Sequence, residues 1–363
     1  MGREERQVTT SAARLVALSA LVEGDGITRA TPPLLLPAGP YFDLAGEEFG
    51  RRLLLTTAGD GNEYCLRPDF TLPIVTRYLA SADAGRPAAF GYLGPIFRQR
   101  SSGVLEVDQG GLEILAEPDP DVALTRVLGF AHQVLAIYGV ADPVVRLGGV
   151  GLFETLLAGL DMPDVWRPRI RNRFGHDEAL ARLLDRLAGQ HNGTGPAPDR
   201  AALIEKVTGD MLAAGFSLTD GRGPEEIADR FLEQQALDAA LVPAATLQLL
   251  RDYLGIAGAA GEALDRVEAL AKAAGIDLSD RLASLHRHLA AFGPDAAVTF
   301  EAAFSPRLDY YTGIVFEITG TGGHVLVSGG QYDRLLERLG AKSRIAACGC
   351  AVWADRLEQE AAP

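Results

Sequence analysis

Asp69 and Thr71 close the stretch LRPDFT, and Gln109 and Glu113 stand four residues apart in DQGGLEI. On a strand that spacing puts both side chains on one face. A second group lies in SPRLDYYTGIVFEITG, residues 305–320, where Asp309, Tyr310 and Tyr311 lead into a β-branched and aromatic run. A strand through this run puts Asp309 and Tyr311 on one side and Leu308 and Tyr310 on the other. Further on, Gly329 and Gly330 leave the backbone bare for a close approach, and Tyr332 follows them. Together these residues offer carboxylates, an amide and phenols, with no basic member. That inventory suits a small cation or an amino acid with several N–H donors. Each residue alone also has an ordinary place, since a strand glutamate can face water and a tyrosine can cap a core with its hydroxyl wet.

Other chemistries lack their residues. The chain has no G-x-S-x-G elbow, no H-E-x-x-H and no Walker lysine loop. The six histidines are scattered, and His286 and His288, two apart on a helix, point to different faces. The three cysteines, Cys65, Cys348 and Cys350, make no disulfide framework and fit a reducing compartment. The C-G-C spacing has no matching second pair, so the thiols read as buried small residues; neither a metal nor a cofactor is expected. Lys and Arg number 34 against 48 Asp and Glu, a net charge of −14. That surface disfavours a polyanion such as tRNA. The N-terminal stretch mixes charges of both signs and reads as an amphipathic helix rather than a signal peptide. No run approaches the ~20 apolar residues of a membrane span, so a soluble cytoplasmic protein is expected.

The elements that must position the candidate residues are readable in outline. A helix is expected near 12–22, ended by Gly24 and Gly26, followed by an extended, proline-interrupted segment. LLLTTA reads as a strand, and YCLRPDFTLPIVTRYLASA as a strand passing through Pro68 into a helix beginning near Thr71. PAAFGYLGPIFRQR and the run through DQGGLEILA read as two strands joined by a hairpin loop. DVALTRVLGFAHQVLAIYG is an amphipathic helix, and DPVVRLGGVG a strand. From 153 to 280 helical periods dominate, and strands return after 281. The expected fold is α+β: an antiparallel sheet flanked by helices, built from 1–152 and 281–363, with a helical insertion at 153–280.

The motifs resemble one family. LDYYTGIVFE followed by SGGQYDRLLERLG resembles the two histidine-specific motifs of histidyl-tRNA synthetases, R-G-L-D-Y-Y-T-G-T-V-F-E and G-G-G-R-Y-D-G-L. LRPDFT, GPIFRQR, DQGGLEILA and GCAVWADRL are similar to L-R-P-E-G-T, G-P-x-F-R-Y-E, H-Q-L-G-V-E-V-F-G and G-F-A-L-G-L-E-R-L of that family, in the same order from about Pro32 to Leu357. The resemblance implies a class II synthetase fold. It also implies a histidine pocket in which Glu113 and Tyr311 hold the imidazole nitrogens, Asp69, Thr71 and Gln109 hold the amino group, and Tyr310 and Tyr332 line the walls.

The departures from the pattern bear on function. Pro306 stands where the synthetases have an arginine, and Arg307 comes one residue late, which on a strand is the other face. Arg100 replaces a glutamate that serves adenine, although Arg98 is kept. The following loop, SSGVLEV, is short and without arginine. Trp353 replaces the glycine that leaves room for the nucleotide, and Asp355 replaces a glutamate, although Arg356 remains. No anticodon-binding domain is expected. A kept histidine pocket beside degraded ATP and tRNA parts is similar to the regulatory-subunit family of ATP phosphoribosyltransferase. That resemblance implies several things. The chain has no catalysis of its own and partners a short-form catalytic subunit in the first step of histidine biosynthesis. Free histidine is the inhibitory effector. A homodimer forms through the region near 31–40, within a hetero-oligomer. One rival reading is a minimal, working histidyl-tRNA synthetase; another is a paralogue using the pocket on a different small amine.

Overall fold

A computed structural model describes residues 3–44, 50–59, 61–99, 104–189, 199–216, 223–292, 297–306 and 310–361. Arg100, the loop residues 101–103, Arg307, Leu308 and Asp309 lie outside the described residues. The described strands are β1 (Thr28–Arg29), β2 (Leu35–Pro37), β3 (Leu55–Thr57), β4 (Glu63–Leu66), β5 (Ala88–Phe97), β6 (Glu106–Leu115), β7 (Val144–Gly149), β8 (Ala257–Ala259), β9 (Ala297–Glu301), β10 (Ile314–Thr319), β11 (Val325–Gln331) and β12 (Ala347–Trp353).

Nine of these form one sheet in the order β1-β5-β6-β12-β11-β10-β7-β9-β8, and β2-β4-β3 form a second. The large sheet is mainly antiparallel, as expected, with two parallel pairings, β1 on β5 and β7 on β9. Parallel neighbours need long crossovers, and both joins fall where a helix-bearing segment intervenes. Strand β6 is buried along nearly its whole length, which fits a central strand covered on both faces. One cover is the helix Pro120–Tyr138. Asp119 caps its start by accepting from the Asp121 and Val122 amides, Pro120 opens it, and Gly139 ends it in the left-handed conformation at φ 64°. Its Leu124, Val127, Leu128, Ala131 and Leu135 recur at helical spacing and are buried.

The chain divides into two compact units, 1–156 with 253–363, and 157–252. The second is helical. Its Trp166 is buried, donating its indole N–H to the Ala240 carbonyl at 2.6 Å. The helical texture of the sequence runs on to 280, whereas the first unit resumes at 253. There β8 pairs with β9, and the helices Ala260–Ala273 and Ser279–Leu289 belong to the sheet-bearing unit. The Asp121 carboxylate accepts from Ser284 at 2.8 Å and from Arg287 at 2.9 Å, joining the latter helix to Pro120–Tyr138. Among the described residues no helix is long and apolar enough to cross a membrane.

The strand expected to include Tyr310 and Tyr311 starts later, at Ile314. The Gln331 carbonyl accepts from the Thr312 amide at 2.8 Å, and the Gln331 side chain accepts from the Ile314 amide at 2.9 Å. A side chain thus replaces the ladder at the strand entry, and both tyrosines stand on the turn before it. Strand alternation does not apply to them, and both are buried.

Candidate functional site

The sheet register assembles the site. Cα partners run Tyr92–Gly111–Ala351–Ser328–Glu317 across β5, β6, β12, β11 and β10. Two residues along lies the row Phe90–Glu113–Gly349–Gly330–Val315, and on the other side Gly94–Gln109–Trp353. Residues two apart share a face, so all three rows stand on one side of the sheet. Small residues leave a floor at its centre, and the larger side chains rise around it. The helix Thr71–Leu79 covers this face near Glu113: Tyr78 meets Phe90 edge-on at 6.2 Å, and Ile74 packs with Tyr92.

Glu113 is the centre of a hydroxyl cluster. It is 1% exposed. Its Oε1 accepts from the Thr71 hydroxyl at 2.6 Å and from the Tyr92 hydroxyl at 3.4 Å, and its Oε2 accepts from the Tyr332 hydroxyl at 2.5 Å. Among the described residues no lysine or arginine forms an ion pair with it. Burial therefore dominates and pushes its pKa up to about 8; the Thr71, Tyr332 and Tyr92 hydrogen bonds oppose the shift and the nearby Asp69 charge adds to it. The phenols of Tyr92, Tyr310, Tyr311 and Tyr332 are likewise raised, chiefly by burial, with Glu113 contributing to each. Thr71 and Tyr332, whose hydroxyls donate hydrogen bonds to Glu113, present lone pairs to any donor entering between them.

The other expected residues surround this cluster. The Tyr310 ring lies 5.2 Å from that of Tyr311 and meets Tyr332 edge-on at 6.0 Å. Arg334 ties their turn down, donating to the Tyr311 carbonyl at 3.3 Å and to both Glu154 oxygens at 3.0 and 3.1 Å. Asp69 accepts from the Leu72 amide at 3.1 Å at the start of the helix Thr71–Leu79. Its carboxyl keeps some surface accessible, yet desolvation is the largest influence and raises its pKa, with Arg98 opposing. Gln109 is buried, and its Oε1 has no hydrogen-bond partner among the described residues. A buried amide oxygen without a donor is costly, and an incoming ammonium supplies one. Asp309, also expected here, lies outside the described residues. Tyr92 escaped the sequence reading. It is fully buried and stacked on Phe70 at 4.5 Å. The signal for it was the glycine pair in DQGGLEI, since Gly111 is its cross-strand partner.

Next to the cluster, a cavity of about 220 Å³ is lined by Arg52, Arg98, Arg356, Glu317, Ser328 and Trp353, among others. Trp353 fills its inner wall, packed with Phe70, Ile74, Tyr92, Ile96 and Val107. The Arg356 and Arg98 guanidinium carbons lie 4.7 and 5.2 Å from the Trp353 ring. Arg98 also donates to the Pro68 carbonyl at 2.7 Å, beside Asp69. The three cysteines are free and buried; burial pushes the Cys65 thiol up to about 11.

This topology is that of class II synthetases. An ATP phosphoribosyltransferase regulatory subunit/histidyl-tRNA synthetase from Bacillus halodurans C superimposes with a TM-score of 0.67 at 20% identity, covering 98% of this chain and 80% of that one. A histidyl-tRNA synthetase from Nostoc sp. PCC 7120 gives 0.62 at 14% identity, covering 97% and 72%. In sequence, the family model for histidyl-tRNA synthetases matches residues 3–219 and 225–357. The ATP phosphoribosyltransferase regulatory subunit of Mesorhizobium japonicum is 38% identical over 347 residues, 91% of this chain and 93% of that protein. That of Allorhizobium ampelinum is 37% identical over 348 residues, 92% and 93%. The chain belongs to the histidyl-tRNA synthetase family and stands within it among the ATP phosphoribosyltransferase regulatory subunits.

Proposed function

We propose that the chain is a non-catalytic regulatory subunit that a short-form ATP phosphoribosyltransferase catalytic subunit requires, and that free histidine inhibits the pair by binding in the Glu113 pocket. The observation that carries this is the buried Glu113 carboxyl with its three hydroxyl partners and, among the described residues, no cation paired with it. A buried acid of this kind is completed by a ligand that brings N–H donors and positive charge. An imidazole against Glu113 and Tyr311, with its ammonium near Asp69, Thr71 and Gln109, supplies both. Adenylate chemistry is not expected, because the Trp353 ring occupies the wall beside this pocket and carries both arginines of the cavity region that flank it. Feedback requires that histidine bind the inactive assembly more tightly than the active one, since equal affinity shifts nothing.

Association with a second copy is expected through the region near 31–40. Leu34, Leu35, Phe42 and Leu55 are exposed there, on and beside the small sheet, an apolar surface suited to burial against another protein. The test is reconstitution: the purified chain mixed with a short-form catalytic subunit, with rate followed against histidine concentration. A rise in the partner's rate on mixing, reversed by histidine, supports the proposal. An unchanged rate rejects it.

A further inference from the structure

The Glu113 carboxyl lies over strand β12, in a space that exists because its cross-strand partner is glycine. A Cβ on Gly349 would sit 1.8 Å from Glu113 Oε2 and 2.8 Å from its Cδ, with the Leu112 carbonyl oxygen at 2.6 Å. The neighbouring row repeats the device: a Cβ on Gly111 would sit 2.3 Å from the Tyr92 hydroxyl, the group that reaches Glu113 from β5, and 2.3 Å from the Cys350 carbonyl oxygen. Neither glycine has the positive φ that would explain it by backbone strain. Two missing side chains thus make room for two members of the hydroxyl cluster. The Tyr332 hydroxyl bonds to Oε2, the same oxygen that lies over Gly349.

We infer that Gly349 is a positioning residue for the ligand pocket: its lack of a side chain sets the depth at which the Glu113 carboxylate sits, and so the place where a ligand N–H must arrive. The inference rests on the proposal that this pocket takes histidine. The geometry separates two roles for the glycine. The contact with Leu112 oxygen is a backbone demand that no change at 113 relieves. The contacts with Oε2 and Cδ are demands of the Glu113 side chain, and a shorter acid at 113 relieves those. A methyl added at 349 and a methylene removed at 113 compensate one another in volume.

The experiment is a double-mutant cycle on the full chain: wild type, Gly349→Ala, Glu113→Asp and both together. Histidine affinity is measured by calorimetry and unfolding by urea titration. Gly349→Ala is expected to weaken histidine binding by about tenfold or more, and Glu113→Asp by about tenfold, as hydrogen bonds to a charged group lengthen or break. The double variant is expected to bind about fivefold tighter than the product of the two single losses, and its urea midpoint to lie above that of Gly349→Ala. Multiplicative losses in affinity together with additive shifts in the midpoint overturn the inference and leave Gly349 a backbone glycine. If the wild type binds no histidine, the histidine reading falls, and the urea cycle alone decides the positioning role. If Gly349→Ala does not fold, Glu113→Ala with Gly349→Ala decides: a folded double variant supports the inference, and an unfolded one overturns it.

Discussion

Two neighbouring patches on the same sheet face handle charge in opposite ways. Around Glu113, hydroxyls converge on a buried acid and no cation is present among the described residues. Around Trp353, Arg98 and Arg356 lie on an indole, and Glu317 and Arg52 line the cavity beside them. The first patch gathers acceptors around an acid. The second is already filled at its inner wall by a side chain that belongs to the chain itself. One sheet face thus carries an acid-centred hydroxyl cluster beside an arginine-lined cavity walled by an indole, because each depends on different positions of the same strands.

The largest test of that contrast is removal of the indole. Trp353→Ala is expected to cost about 3–5 kcal/mol of stability in urea unfolding, the usual range for a buried aromatic truncated to alanine. It should still show no histidine-dependent ATP–pyrophosphate exchange, since the space regained does not restore an arginine at Pro306. Exchange above background would mean that the indole alone separates this chain from a working synthetase. Second in size is Glu113→Ala, which removes a charge-assisted hydrogen bond worth roughly 1.5–3 kcal/mol and should weaken histidine about tenfold to a hundredfold. In the reconstituted complex it should leave activation nearly intact and move the inhibition curve to higher histidine; an unmoved curve places the sensing site elsewhere. Tyr92→Phe is a smaller change. Its bond to Glu113 is long at 3.4 Å, so a loss of about 0.5–1 kcal/mol, two- to fivefold in affinity, is expected.

A separate test is read from pH. Glu113 titrates near 8 in the folded chain and in the ordinary glutamate range, about 4.3, when unfolded. Between those values the native chain holds a proton that the unfolded chain has lost. The stability from this group is present below the unfolded value and fades as pH rises through the folded one. Glu113→Gln cannot ionise and escapes that loss. Its melting temperature relative to wild type should therefore be about 3–6 °C more favourable at pH 8 than at pH 5. A difference that stays flat with pH would show that the carboxyl is solvated in the native state.

Much of this was legible in the sequence because the motifs sit on strands whose neighbours are fixed by register. Thr71, Glu113 and Tyr332 come from three separate motifs, and the structure joins them by hydrogen bonds. What was not legible came from cross-strand relations. Tyr92 lies in a plain apolar strand, and nothing local marks its hydroxyl as a partner of Glu113. Gly349 looks like any strand glycine until β12 is set beside β6. The two tyrosines looked like strand residues because Thr312-Gly313 and the IVFEI run share the same β-prone character; Gln331, whose side chain shifts the strand start, is far off in sequence. The helical texture up to 280 hid β8, whose residues Ala257, Gly258 and Ala259 carry no strand signature of their own.

The bond between Tyr332 and Glu113 spans 219 residues of chain. During synthesis the acid and two of its partners, Thr71 and Tyr92, leave the ribosome long before Tyr332 and β12. At a synthesis pace of roughly 5–20 residues per second, the interval is on the order of 10–40 seconds. Throughout that time the carboxyl faces water and ionises as an ordinary glutamate does. The Glu113 cluster is therefore among the last parts of the first unit to be completed, and the burial that raises the pKa of its acid follows only when the C-terminal strands close over it.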